Sequence, residues 1–297
     1  MLVLRGSKIY VIMTQKQLDA RLTAQRKRES LLNLAEEIST GASKRHVYVY
    51  SPAGLGKTHA VLTALENQRV PYKYITGSVT IAFFAVELAT MLYENPGEDE
   101  ILLVVDDCDS MFLDVQFANI IKGVLEKTKS ALQYNKYAKG WINTLSDVQK
   151  NAVSALSTGS SVGFSVPTSR FRFCFLSNIK LPTRADLRKS GTGRSYELEL
   201  HRSAIRSRCK TLDLDMSGDI TWGWVTNVVM DSKAIIVELG EDDYSSKSGR
   251  ILQWMWTNRG QMKELSIRTA QKMAESISNG GDSDDWEDEF LENRNAA

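Results

Sequence analysis

Residues 51–58 read Ser-Pro-Ala-Gly-Leu-Gly-Lys-Thr and stand between two runs of opposite character. His46-Val47-Tyr48-Val49-Tyr50, just before, is β-rich, and Ala60-Val61-Leu62-Thr63-Ala64-Leu65, just after, is helical. A strand, a glycine-containing loop and a helix in direct succession put that loop at the carboxyl end of the strand and the amino end of the helix. The octapeptide is a near match to the phosphate-binding pattern G-x-x-x-x-G-K-[ST], with Ser51 in place of the first glycine. Gly54 and Gly56 allow the tight turn that aims successive N–H groups at one anion. A helix starting near Lys57 adds its positive end. The Lys57 ammonium can reach the β- and γ-phosphates, and the Thr58 hydroxyl can hold Mg²⁺. Pro52, Ala53, Gly54, Leu55, Gly56, Lys57, Thr58 and His59 are therefore the candidate nucleotide-binding residues. An ordinary glycine-rich turn is the alternative.

A second motif lies downstream. Ile101 to Val105 is an unbroken apolar run, the pattern of a strand buried on both faces in a parallel sheet. It ends in Asp106-Asp107-Cys108-Asp109. A buried strand that ends in acids can place Mg²⁺ through Asp106 and orient or deprotonate a water through Asp107. A solvated acidic turn is the bland reading. Phe171 to Leu176 is another buried strand, ending in Ser177-Asn178. An amide at the carboxyl end of a central strand faces the ligand crevice, so Asn178 can reach a γ-phosphate or a water; an asparagine there is otherwise a turn residue. Further elements are expected as a helix over Gln15–Ile38, a strand over Tyr72–Ile75, a helix over Ile81–Tyr93 and an amphipathic helix over Met111–Leu125. Strands alternating with helices around such a loop give an α/β fold with a parallel sheet between helices.

The order of these motifs resembles that of the AAA+ ATPases. Ser51–Thr58 is similar to their G-P-P-G-x-G-K-T, and Asp106-Asp107-Cys108-Asp109 to the D-E-x-D form of their Walker B. Asn178 stands where sensor 1 would be. Ile205-Arg206-Ser207-Arg208-Cys209 is similar to the S-R-C element of clamp-loader subunits. The resemblance implies that Arg208, with Arg206 as substitute, reaches the γ-phosphate of a neighbouring subunit as an arginine finger. Asn258-Arg259-Gly260-Gln261-Met262-Lys263-Glu264-Leu265 is similar to the sensor 2 segment opening the last lid helix, with Lys263 in the arginine's place and Arg268 further along. Asp107 where that family has Glu makes the base one methylene shorter, which leaves open slow hydrolysis or a different water position.

The resemblance covers residues 40–278. It implies an AAA+ core (41–214) and a small helical lid (215–278), where the pattern reads as helices over Ile220–Met230, Gly249–Trp256 and Gln261–Ile277; the residues outside it read as an N-terminal helical segment (1–40) and an acidic tail (279–297). It also implies ATP and Mg²⁺ as cofactors and a homo-oligomer, a hexamer by the family default or a pentamer by the clamp-loader pattern. The chain also looks like small ATPases of tailed phages. The activity expected on this basis is ATP hydrolysis coupled to assembly on DNA in replication or recombination. An ATP-driven protein remodeller and a nucleotide-gated switch with little hydrolysis remain as alternatives.

Composition narrows the partners. A hydrophobic content of 42% with 25% charged residues is that of a globular protein. The net charge of +1 offers no global basic field, so DNA contact requires a local patch. Lys127, Lys129, Lys136 and Lys139, interleaved with Tyr134, Tyr137 and Trp141 and followed by the Ser/Gly-rich stretch Ser154–Ser169, fall where the resemblance implies the lining of a central channel, and can track a DNA strand, grip a polypeptide, or pack. Arg21, Arg26, Lys27 and Arg28 make part of the first helix basic, as a solvated face or a nucleic-acid contact. The tail carries Trp286 and Phe290 among carboxylates, suited to solubilising the chain or to recruiting a basic partner pocket; it is expected to lie unpacked. The three cysteines, Cys108, Cys174 and Cys209, lack metal-ligand spacing and fit reduced thiols in the cytoplasm. No apolar run reaches a membrane span, and Leu2–Met13 is too short and broken for a secretory signal, with Met13 a second candidate start.

Overall fold

The computed structural model describes residues 2–5, 8–11, 13–126, 131–134, 141–157, 163–187, 194–232, 246–280 and 290–291, with backbone alone for the first two ranges. The chain divides into two units. A helical unit comprises Met1–Ala35, Pro52–Ala60 and Leu214–Ala297, and a sheet unit comprises Glu36–Ser51 and Val61–Asp213.

In chain order, β1 (Leu2–Arg5) and β2 (Lys8–Val11) form an antiparallel hairpin, followed by α1 (Gln15–Ser39), β3 (His46–Tyr50) and α2 (Lys57–Asn67). Then come β4 (Lys73–Thr76), α3 (Ile81–Glu94), β5 (Ile101–Asp106), α4 (Ser110–Leu113) and α5 (Val115–Val124). After these, β6 (Ala131–Tyr134), a 3₁₀ turn (Trp141–Thr144), α6 (Asp147–Ala155), β7 (Phe164–Pro167) and β8 (Phe171–Ser177) lead to α7 (Arg184–Leu187), α8 (Arg194–Arg208) and β9 (Cys209–Asp213). The described helices that follow are α9 (Gly218–Ser232), α10 (Ser246–Asn258) and α11 (Ile267–Gly280).

The sheet unit is α/β. Its five strands run in the order β4-β5-β8-β3-β9, and every neighbouring pair is parallel. All residues of β5 and β8 are buried, as strands covered by helices on both faces must be. One of these is Arg172, which donates to the Ser43 carbonyl at 2.7 Å and the Ile38 carbonyl at 3.0 Å and lies 3.2 Å from Glu100. A buried cation survives in a strand because its donors are spent on the last turn of α1 and the loop after it. The core is aromatic: Phe173 stacks on Phe175, and Phe112 meets Tyr48 and Phe175 edge-on.

The continuous helix expected over Met111–Leu125 is broken. Asp114 takes an extended conformation (φ −97, ψ 130), and its carboxylate accepts the Phe117 N–H at 2.8 Å, capping α5 and ending α4. Between β5 and β8 the chain also makes a two-stranded antiparallel ribbon of β6 and β7, with α6 inserted between the strands. Tyr134 and Trp141 pack there, with Tyr134 5.9 Å from both Trp141 and Phe164 between ring centroids. These two rings are therefore engaged within the unit. Lys127, Lys129, Lys136, Tyr137 and Lys139 lie outside the described residues, as do 158–162.

In the helical unit, α1 and α9 approach closely. A Cβ on Gly223 would lie 2.6 Å from the Ala20 carbonyl oxygen. Arg21 Nε donates to Asn227 Oδ1 at 2.8 Å while Asn227 Nδ2 returns a bond to the Arg21 carbonyl at 3.0 Å, and Arg28 pairs with Asp231. These two arginines thus tie α1 to α9. Trp222, Val225, Ile251, Met255, Met273 and Ile277 make the core of this unit, and Phe290 belongs to it.

Two expectations for the C-terminal region are corrected. The helix expected over Gln261–Ile277 begins at Ile267, because Met262 pairs with Leu291 in a β-bridge and the Ser266 hydroxyl accepts the Thr269 N–H at 3.1 Å, capping α11. The acidic tail expected to lie unpacked is anchored at Phe290, which is 7% exposed, since a large ring can bury apolar area that its acidic neighbours cannot. Residues 281–289, including Trp286, and 292–297 lie outside the described residues. No described helix is long and apolar enough to cross a membrane.

Candidate functional site

The connection from β3 leads to β4 at one sheet edge, and that from β8 leads to β9 at the other. Neighbouring parallel strands whose connections leave in opposite directions open a crevice at their carboxyl ends. β3 ends where the phosphate-loop sequence begins, β8 ends in Ser177-Asn178, and β5, next to β8, ends in Asp106.

Within the sheet unit the acids and the amide form one hydrogen-bonded cluster. Asn178 Nδ2 donates to Asp107 Oδ1 at 3.0 Å and to Asp109 Oδ2 at 3.3 Å. Asp109 Oδ1 accepts from the Ser177 hydroxyl at 2.6 Å and from the Asn178 N–H at 3.2 Å. Asp109 thus fixes both the backbone and the side chain of Asn178. Asp107 is exposed and has φ +51, one of the described non-glycine residues in the left-handed region. Such a conformation costs about 1–3 kcal/mol and persists only where its surroundings hold it. Asp107 is held by its own N–H, which bonds the Leu176 carbonyl at 3.1 Å, and by Asn178.

Asp106 is 4% exposed. Tyr74, on β4, donates its phenol to Asp106 Oδ2 at 2.8 Å. Burial first, and then the bond to Asp106 and its charge, push the Tyr74 phenol up to about 12. Burial and the neighbouring Asp106, Asp107 and Asp109 charges push the Cys108 thiol up to about 12 as well.

In the helical unit the loop takes its shape from glycines and from the segment before α11. Gly54 (φ +71) and Gly56 (φ +79) are left-handed, a conformation that the missing Cβ admits. The Gly54 carbonyl accepts the Ile267 N–H at 3.2 Å, and a Cβ on Gly54 would lie 2.6 Å from Ser266 Cβ. Trp224 Nε1 donates to the Leu55 carbonyl at 3.0 Å. Lys57 and Thr58 open α2, with Lys57 buried and Thr58 half-buried; Pro52, Ala53 and His59 are exposed. Lys263 is exposed and precedes α11 rather than opening it; its N–H bonds the Phe290 carbonyl at 3.2 Å.

The two candidate finger arginines sit in the last turn of α8 and differ. Arg206 makes a two-pronged pair with Asp213 at 3.1 and 2.7 Å and also donates to the Leu181 carbonyl at 3.2 Å. Arg208 donates to the Ala204 carbonyl at 2.9 Å, and its Nε to Glu126 Oε2 at 3.1 Å. The Glu126 side chain is 45% exposed, which makes this the weaker hold.

The sequence did not single out Tyr74, Trp224 or Ser266. A tyrosine in a strand and a tryptophan in an apolar helix read as packing, and only the tertiary fold brings them to the motif residues. Among the described residues no group of three or more His, Cys, Asp or Glu side chains could hold a metal ion. No protein-family model matches this chain, and no match is found among the curated proteins.

Proposed function

We propose that this chain is a Mg²⁺-dependent ATP hydrolase of the AAA+ type that works as an oligomer on DNA. The observation that carries the proposal is the strand order β5-β8-β3, in which the acidic turn, Asn178 and the start of the phosphate loop leave the carboxyl ends of adjacent parallel strands. Pro52–His59 would bind the triphosphate, with Lys57 supplying charge. Thr58 and Asp106 would hold Mg²⁺. This all-oxygen set fits that ion, which takes one or two carboxylates and completes its shell with phosphates and water. Bound there, Mg²⁺ would neutralise charge developing on the phosphates. Asp107 would accept the proton of the attacking water, and Asn178 would orient that water or the γ-phosphate. Arg208 would serve a neighbouring subunit after leaving Glu126, while Arg206 holds α8 to β9. Lys263 would reach the phosphates from the lid.

DNA as the client follows from the family resemblance, with replication or recombination as its setting. The deciding experiment is steady-state ATP hydrolysis, with and without single- and double-stranded DNA, at concentrations that permit assembly, with Lys57→Ala as control. Turnover stimulated by DNA supports the proposal. Turnover indifferent to DNA moves the client to a protein. A second reading, a nucleotide-gated switch with little hydrolysis, is favoured by the bond from Asn178 to Asp107, which occupies the proposed base. ATP binding without turnover would select it.

A further inference from the structure

We propose that Tyr74 is a positioning residue for the metal-binding carboxylate of Asp106, an inference that rests on the Mg–nucleotide reading above. Tyr74 lies on the edge strand β4 and pairs in register with Val104, two residues before Asp106. Side chains two apart on a strand share a face, so the Tyr74 ring lies diagonally beside the Asp106 carboxylate. The phenol reaches across the strand pair and donates to Oδ2 at 2.8 Å.

The hydroxyl gives its one proton to Asp106 and also meets the Thr76 side chain. The residue is 41% exposed, and a phenylalanine would suit a β-strand equally well. What the hydroxyl adds is a fixed partner for one oxygen of a carboxylate at the very end of a strand. A terminal carboxylate otherwise rotates broadly about its last torsion. With one oxygen tied to the phenol, the plane of the group is set before any cation arrives. Partners of metal-ligating carboxylates act in this way, and removing one costs 10- to 100-fold in metal affinity or activity.

The test uses the full chain, wild type and Tyr74→Phe, loaded with ATP, with Mn²⁺ as a paramagnetic probe for the cation. Bound Mn²⁺ is counted by electron paramagnetic resonance, a readout independent of turnover. The expected result for Tyr74→Phe is Mn²⁺ affinity weaker by about ten-fold. Nucleotide affinity in EDTA and the thermal midpoint should match wild type, which separates orientation from folding. Asp106→Asn should weaken Mn²⁺ binding further, and adding Tyr74→Phe to it should change nothing more, because the hydroxyl acts through that carboxylate. Wild-type Mn²⁺ affinity in Tyr74→Phe, or additive losses in the double variant, would overturn the inference while leaving the nucleotide site intact. Wild-type protein that binds neither ATP nor Mn²⁺ would overturn the functional reading, and this inference with it.

Discussion

Asn178 donates its side-chain amide to Asp107 at 3.0 Å, and Asp107 takes this bond from a left-handed backbone with φ +51. The residue proposed as base is thus held in a strained conformation by the residue proposed to sense the phosphate. Asparagine tolerates that backbone better than most residues. Asp107→Asn is therefore expected to fold normally and bind ATP while losing at least about 10²-fold in turnover, the contribution of a general base. Single-turnover hydrolysis alongside nucleotide binding checks it; undiminished turnover would remove Asp107 from the chemistry.

Gly54→Ala is expected to be damaging before any ligand is added. The substituted residue must keep φ +71, and its Cβ meets Ser266 Cβ at 2.6 Å. Strain of this kind costs about 1–3 kcal/mol. Thermal unfolding of the ligand-free chain should show the loss, and ATP binding should weaken alongside it. Wild-type values for both would mean that the loop relaxes freely.

The two arginines at the end of α8 should separate by phenotype. Arg206→Ala breaks a two-pronged pair with Asp213 and should cost about 1–3 kcal/mol of stability. Arg208→Ala breaks a more exposed pair with Glu126, worth about 0–1 kcal/mol, and should leave stability nearly unchanged. Under the proposed function, Arg208→Ala also abolishes turnover but not ATP binding, and mixing it with Lys57→Ala subunits restores part of the activity. Denaturant unfolding and mixed-subunit hydrolysis together decide this.

Phe290→Ala should destabilise the helical unit by about 3 kcal/mol, the usual cost of deleting a buried aromatic ring. Unfolding of the full-length chain measures it. Deleting residues 281–297 should have a similar effect. An unchanged midpoint in both would return the tail to the role of a solubiliser.

The three thiols should resist alkylation in the native state. Cys108, Cys174 and Cys209 are buried, and burial is the main cause that pushes each thiol up to about 12. Only the thiolate attacks, so at pH 8 the thiolate fraction is very small and the sulfurs are covered. Iodoacetamide labelling followed by mass spectrometry should find all three modified only after unfolding.

Where the sequence was legible, local pattern and tertiary demand agreed. The apolar runs Ile101–Val105 and Phe171–Leu176 became β5 and β8, because an uninterrupted apolar strand is stable only when covered on both faces. Gly54 and Gly56 took the left-handed conformations that glycine admits in a tight turn. Where the sequence was misleading, a single side chain chose against its neighbours. Asp114 capped α5 and broke an amphipathic run that reads as one helix. Met262 paired with Leu291 and delayed α11 past Lys263. α8, β9 and β6 were not foreseen, since their short or charged segments carry no decisive period.

By itself the sequence determined an α/β chain in which a phosphate-loop motif, an acidic turn and an amide follow strands in succession, since each depends on residues adjacent along the chain. The tertiary structure alone decided which distant side chains meet them: Tyr74 at Asp106, Asp109 at Asn178, Ser266 at Gly54 and Glu126 at Arg208. Those contacts depend on strand register, helix length and the closeness of backbones. These are set by packing many residues at once, and no local pattern encodes them.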